Sequence, residues 1–210
     1  MKRIFLITIA IIITVSMVLI GAGCKTSAST APVVPEFIGE DFELTLPENW
    51  EGGTKEELDS VIEKLEDADL TELADTVEEN KFYLVYFGYD AEMVAQGSNK
   101  SIFTIVGESK IVSSLEEYMD ISYESLKEQY EKAEHSFDII EQEVVALGDN
   151  EEVGRTIFEY AVEDYETKVA QYIIKNGSDV WILTFSSDME QFDEQIQDFD
   201  KTIETFKILD

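Results

Sequence analysis

TKVAQYIIKNGSDVWILTFSS, Thr167 to Ser187, places two β-favouring runs on either side of Asn176-Gly177. Asn-Gly between apolar runs is the strongest short-range hairpin signal, because a two-residue turn needs positive φ at its central residues and these two tolerate it. The stretch therefore reads as a pair of antiparallel strands. The segments before it have the same character: SFDIIEQEVVAL and GRTIFEYAVED are of strand length and are separated by the turn-like GDNEE. Strands that meander in this way need no crossover, so the sheet they build is antiparallel.

Outward from the meander the pattern changes period. Met189 to about Thr205 puts Phe192, Ile196, Phe199 and Ile203 on one helical stripe, with Ser187 and Glu190 placed to cap it. On the other side, SSLEEYMDISYESLKEQYEKA carries a capping box, Ser114 with Glu117, and an inward stripe of Tyr118, Met119, Ser122, Leu126 and Tyr130. KFYLVYFGYD, Lys81 to Asp90, and SIFTIVGE, Ser101 to Glu108, are two more strands flanking the turn-like QGSNK. KEELDSVIEKLEDADLTELADTVEEN reads as one helix, or as two with a break near Asp69. DFELTLPENW, Asp41 to Trp50, alternates as a half-buried strand stopped by Pro47. The order predicts an α+β fold, a largely antiparallel sheet flanked by helices, with no internal repeat.

DFELTLPENW, SLEEYMDISYESLKEQY, and GRTIFEYAVE followed by KVAQYIIKNGSDVWILTFSS and a final helix together resemble the PsbP-like family, with its Mog1-type α/β/α sandwich. The resemblance spans about Phe42 to Ile208 and lies in core and turn patterns. It implies the sandwich, and a small lipoprotein of Gram-positive type among its members. The family's photosynthetic members assist a metal cluster and bind partner proteins, but no ligand residue of theirs can be matched to a position here.

The N-terminus has a different logic. Lys2 and Arg3 precede Ile4 to Ile20, apolar except for Thr8, Thr14 and Ser16, and the small residues Gly21, Ala22 and Gly23 end the run at Cys24. This charge-then-apolar layout is that of a secretory signal. Its end resembles the lipobox of bacterial lipoproteins, in which the cysteine is diacylated and becomes the new N-terminus, although Gly21 stands where Leu is usual. An uncleaved anchor is the other reading, since a span needs about 17 residues. A phosphate-binding loop is excluded, because Cys24 precedes Lys25 where glycine is required and TSASTAPVVP cannot start a helix. The expected organisation is a signal peptide over 1–23, a Ser/Thr/Ala/Pro tether over 24–40 and one PsbP-like domain over 41–210.

Forty-six acidic against 15 basic residues give a formal charge of −31. Such a surface repels nucleic acid and anionic lipid. It is either a solvated shell or an attractor of cations and basic partners. Cys24 is the single cysteine; once acylated, it leaves no disulfide, thiolate metal site or cysteine nucleophile. The core must instead be filled by 12 Phe, 9 Tyr and 2 Trp.

Catalytic signatures are sparse. No G-x-S-x-G occurs, and His135, the single histidine, has charged neighbours that predict exposure and cannot alone supply H-E-x-x-H. The nearest approaches to a calcium loop, Glu66 to Asp69 and Asp149 to Glu152, lack its glycine and length. No catalytic residue, metal ligand or cofactor is therefore expected. In KFYLVYFGYD, strict alternation puts Phe82, Leu84 and Tyr86 on one face and Tyr83, Val85, Phe87 and Tyr89 on the other. That is either a strand buried on both faces or one side of a groove lined by Tyr83, Tyr89 and Trp50 for a peptide or small ligand. The functional expectation is a non-enzymatic lipoprotein, held through Cys24 on the outer face of a Gram-positive cytoplasmic membrane, that binds or helps assemble another envelope component. The alternative is an extracytoplasmic hydrolase acting on wall polymers through carboxylates.

Overall fold

The computed structural model describes residues 36–38, 41–98, 101–109, 114–162 and 165–209. Cys24 and the segment around it lie outside these residues. Ten strands are present, β1 (Glu36–Ile38), β2 (Phe42–Thr45), β3 (Trp50–Thr54), β4 (Leu84–Asp90), β5 (Ile102–Ser109), β6 (Ser136–Leu147), β7 (Asn150–Val162), β8 (Tyr165–Asn176), β9 (Asp179–Asp188) and β10 (Lys207–Ile208). The helices are α1 (Leu58–Asp67), α2 (Thr71–Asn80), α3 (Ala91–Ala95), α4 (Leu115–Lys132) and α5 (Met189–Thr205). Seven strands form one sheet in the order β3-β4-β5-β9-β8-β7-β6, and β1-β2-β10 form a small second one. Every pairing is antiparallel. The expected α+β architecture is the observed one.

Two hydrophobic cores sandwich the large sheet. Leu65 of α1, Val77 of α2 and Tyr118, Tyr123 and Leu126 of α4 pack on one face. Phe199 and Ile203 of α5 pack on the other, together with Phe42 and Leu44 of the small sheet. Central strand β9 feeds both, sending Val180 and Ile182 one way and Trp181, Leu183 and Phe185 the other. Phe185 stacks on Phe103 of β5 at 4.1 Å between ring centroids and on Phe199 of α5 at 4.2 Å, so one aromatic column joins sheet to helix. Across the sheet, the buried Tyr123 hydroxyl donates to Gln171 Oε1 (2.8 Å) and Gln171 Nε2 donates to Thr184 Oγ1 (3.0 Å). This satisfied polar line specifies where α4 sits on strands that apolar packing alone would let it slide along.

The break near Asp69 is a Schellman cap. Asp69 takes φ of 60°, its N–H donates to Glu66 O and that of Leu70 to Leu65 O. α4 ends in the same way, with Glu134 at φ 60° and His135 N donating to Tyr130 O. That geometry folds His135 back onto the Tyr130 ring, so it is half-buried rather than exposed as its charged neighbours suggested. At the start of α4, Ser114 Oγ accepts from Glu117 N as expected. The cap of α5 is Asp188, which accepts from Gln191 N (2.9 Å); Ser187 stays fully buried at the end of β9.

Two further departures matter. A bulge in β4 between Leu84 and Tyr86 breaks the alternation, so Leu84 joins Phe87 and Tyr89 on the α1/α2 side while Tyr86 turns to the other. Phe82 falls before the strand and is 75% exposed under Lys55 Nζ, 5.3 Å from its ring. The chain also forms β3, which continues from Trp50, and α3, neither of which the sequence pattern indicated, and β1 within the stretch read as tether.

Candidate functional site

A cleft of about 450 Å³ opens at one end of the sheet, where the end of β5, the β8–β9 turn and the small sheet converge. The register explains the hollow. Gly107 pairs with Trp181 and Ser109 with Asp179, so a glycine stands opposite the indole, which stays 9% exposed. Trp181 is held by Phe42 of β2 and by Phe206, with ring centroids at 5.9 and 5.8 Å. Val85, from the β4 bulge, and Ile208 and Leu209, beyond α5, complete an apolar wall. Asp41 enters from the start of the small sheet, where its carbonyl accepts from Leu209 N (2.9 Å).

Asp41, Glu108 and Asp179 line this space with Asn176 and Ser109, and none of the lining residues is basic. Glu108 pairs with Val180 of the core on the α4 side, so its carboxylate turns to that face, away from Trp181. Glu108 is fixed by Tyr118 of α4, whose hydroxyl donates to Glu108 Oε1 (2.6 Å). Burial, then the neighbouring Glu108 charge, pushes the Tyr118 phenol well above its ordinary range, so it remains a donor. Asp179 accepts a longer bond from Ser178 Oγ in the turn (3.4 Å). The lining contains no histidine, cysteine or lysine to serve as base or nucleophile. What this arrangement can do is hold a cationic group against Asp41 and Asp179 while its hydrocarbon part lies on Trp181 and Ile208.

A second polar constellation lies across the sheet. Arg155 of β7, its side chain 14% exposed, pairs with Glu141 and Glu143 of β6 and with Asp200 of α5. Tyr172 also donates to Asp200 Oδ1 (2.7 Å).

The groove expected from Tyr83, Tyr89 and Trp50 does not form. Trp50 is 3% exposed and packs edge-on against Phe185 and Phe199, whereas Tyr89 belongs to the core on the opposite face of the sheet. Tyr83 is half-buried, edge-on to Phe82. The two acidic runs also stay apart: Glu66 to Asp69 closes α1 and Asp149 to Glu152 spans the β6–β7 turn. Among the described residues, no group of three or more His, Cys, Asp or Glu could hold a metal ion. The cleft residues went unnoticed in the sequence because five separated segments supply them. The one local hint was Asn176 and Asp179 bracketing the hairpin turn.

No protein-family model and no curated protein matches the chain by sequence. Solved structures do match, and they define the fold as PsbP-like. Cyanobacterial PsbP (CyanoP) from Synechocystis sp. PCC 6803 superposes with a TM-score of 0.56 at 11% identity, covering 90% of this chain and 98% of that one. LpqN, described as involved in cell envelope biogenesis of Mycobacterium tuberculosis, gives a TM-score of 0.47 at 11% identity over 86% of this chain and 90% of its own. A protein of Bacteroides thetaiotaomicron gives 0.48 at 10% identity over 83% of this chain and 48% of that one. At these identities the likeness is one of fold.

Proposed function

We propose that the chain is a membrane-anchored extracytoplasmic lipoprotein whose PsbP-like domain has a non-enzymatic binding role, with the acidic cleft as its ligand site. The observation that carries this reading is the cleft's combination of Asp41 and Asp179, no basic residue and the edge of Trp181. It fits an organic cation with an apolar stem, such as a lysine or arginine side chain of an envelope partner. Anchoring rests on the run Gly21, Ala22, Gly23 ending at Cys24. Two acyl chains there hold a protein stably where one does so only marginally.

Titration of the full chain with N-acetyl-arginine amide and its neutral isostere N-acetyl-citrulline amide, followed by tryptophan fluorescence, tests the cleft. The arginine compound should give a saturable change, the citrulline compound none, and Asp41→Asn with Asp179→Asn should abolish the response. Equal responses to both compounds would refute the cationic assignment. Cys24→Ala should leave the precursor unprocessed and without lipid mass; cleavage with the lipid still attached would overturn the anchor. Turnover of wall glycans or muropeptides, lost on substituting a single Asp or Glu, would replace the binding role with the hydrolase.

A further inference from the structure

Strand β6 ends the large sheet, and among the described residues no strand pairs with its outer edge. The opposite edge is blunted, since β3 is 5 residues long and carries α1 against it, whereas β6 runs for 12. A long open edge presents unpaired N–H and C=O groups, a template for one more strand. Of the seven large apolar side chains exposed among the described residues, three sit on this strand: Ile139, Ile140 and Val144.

The register with β7 sorts the edge into two chemically distinct faces. Ile139 lies opposite Phe158 and Val144 opposite Gly154, on the side of α4. Glu141 lies opposite Ile157 and Glu143 opposite Arg155, on the side of α5. Gln142 Nε2 donating to Asp120 Oδ1 of α4 (3.2 Å) agrees with this assignment. Because side chains alternate along a strand, a strand added along Glu141 to Val145 would meet the uncharged Gln142 and Val144 on the α4 side, and Glu141 and Glu143 with the half-buried Val145 on the other. Arg155 supplies one positive charge to Glu141, Glu143 and Asp200 together, so the second face stays acidic. A second copy of this chain would bring the same carboxylates against it.

We propose that β6 accepts, by strand addition, an extended segment of another protein in which aliphatic residues alternate with Lys or Arg. Bulges between Ile139 and Glu141 and between Val145 and Leu147 leave Glu141 to Val145 as the straight stretch that sets the register. The site is separate from the cleft, which lies on β5, β9 and the small sheet.

Backbone hydrogen exchange of the full chain in detergent micelles tests this with four peptides. These are Lys-Val-Lys-Val-Lys-Val-Lys, the same sequence N-methylated at each valine, a block peptide of identical composition, and the version with Glu in place of Lys. The first should slow exchange within 136–147 about tenfold at saturation, a scale typical of newly paired strand amides. The other three should not, and Val144→Lys should weaken the first peptide's affinity about tenfold. Equal protection by the N-methylated or block peptide would reduce the contact to charge alone and overturn the proposal. Protection that falls on the cleft instead, or none at millimolar peptide, would do the same. Protection that grows with chain concentration without peptide would assign the edge to a second copy and also overturn it.

Discussion

Gly148→Ala should be among the most damaging one-carbon additions in this domain, and the structure says by how much. Gly148 sits in the β6–β7 turn at φ 60°, a conformation that costs an L-residue about 1–2 kcal/mol. A Cβ there would also run into the last turn of α5, 2.8 Å from Glu204 Cα, 2.9 Å from its carbonyl carbon and closer still to the oxygen. That backbone cannot yield easily, because Asn150 Nδ2 donates to Ile203 O (3.3 Å) and Phe206 O (3.1 Å), fastening the turn to the helix end. Overpacking of this kind adds about 1–3 kcal/mol, for a total of about 2–5 kcal/mol. Gly177→Ala is the internal control: φ is 61°, but nothing lies within 4 Å of its Cβ, so only the conformational cost remains. Thermal unfolding of the full chain, followed by the fluorescence of the buried Trp50 and Trp181, gives both values. Gly177→Ala should lower Tm by about 2–8 °C, and Gly148→Ala by appreciably more. Equal losses for the two variants would refute the claim that the turn is docked rigidly beneath α5.

Arg155→Met should cost about 2 kcal/mol, because Glu141, Glu143 and Asp200 would face one another without their cation; adding Asp200→Asn should recover part of the lost Tm, and no recovery would show that the loss is one of packing. Asp90 caps α3 by accepting from Glu92 N (2.9 Å) and Met93 N (3.1 Å), yet burial raises its carboxyl pKa overall. A raised acid pKa means that the folded state loses stability as pH climbs through it, so Asp90→Asn, which can keep the cap, should melt above the parent at neutral pH and lose that advantage on acidification. An advantage independent of pH would contradict the desolvation argument. With 46 acidic and 15 basic residues, the chain should melt at a higher temperature in moderate sodium chloride than in dilute buffer. Saturable stabilisation by micromolar calcium at matched ionic strength would replace the diffuse shell with a specific cation site.

What could be read from the sequence depended on how local the deciding contact was. The hairpin at Asn176-Gly177, the Ser114 cap and the pause at Asp69 are decided within a few residues and were legible, although the turn itself is Gly177-Ser178: Asn176 still pairs with Asp179, and Gly177 takes the positive φ. The tertiary neighbourhood decided the rest. The β4 bulge leaves no mark in LVYFGYD, yet it moves Leu84 to the opposite face from Tyr86; the alternative groove fails for a separate reason, because Trp50 and Tyr89 pack on opposite faces of the sheet. Asp188 takes the α5 cap from Ser187 because β9 continues far enough to bury the serine. The cleft was least visible of all: Gly107 and Trp181 are neighbours only once β5 and β9 have paired across 73 intervening positions of chain, and Asp41 and Leu209 only once the small sheet has closed.

The small sheet also determines how the domain bears tension. β1 and β10 run in the same direction with β2 antiparallel between them, Glu36 beside Thr45 at one end and Ile208 beside Phe42 at the other. A pull entering at Glu36 and resisted at Leu209 therefore acts along the strands in opposite senses, at right angles to the hydrogen bonds. Such a load falls on all the pairs of both ladders together and does not peel them one at a time. The seam is short but set in shear, the orientation in which a few bonds resist best, and because Asp41, Ile208 and Leu209 also line the cleft, a load that parts this seam opens the cleft with it.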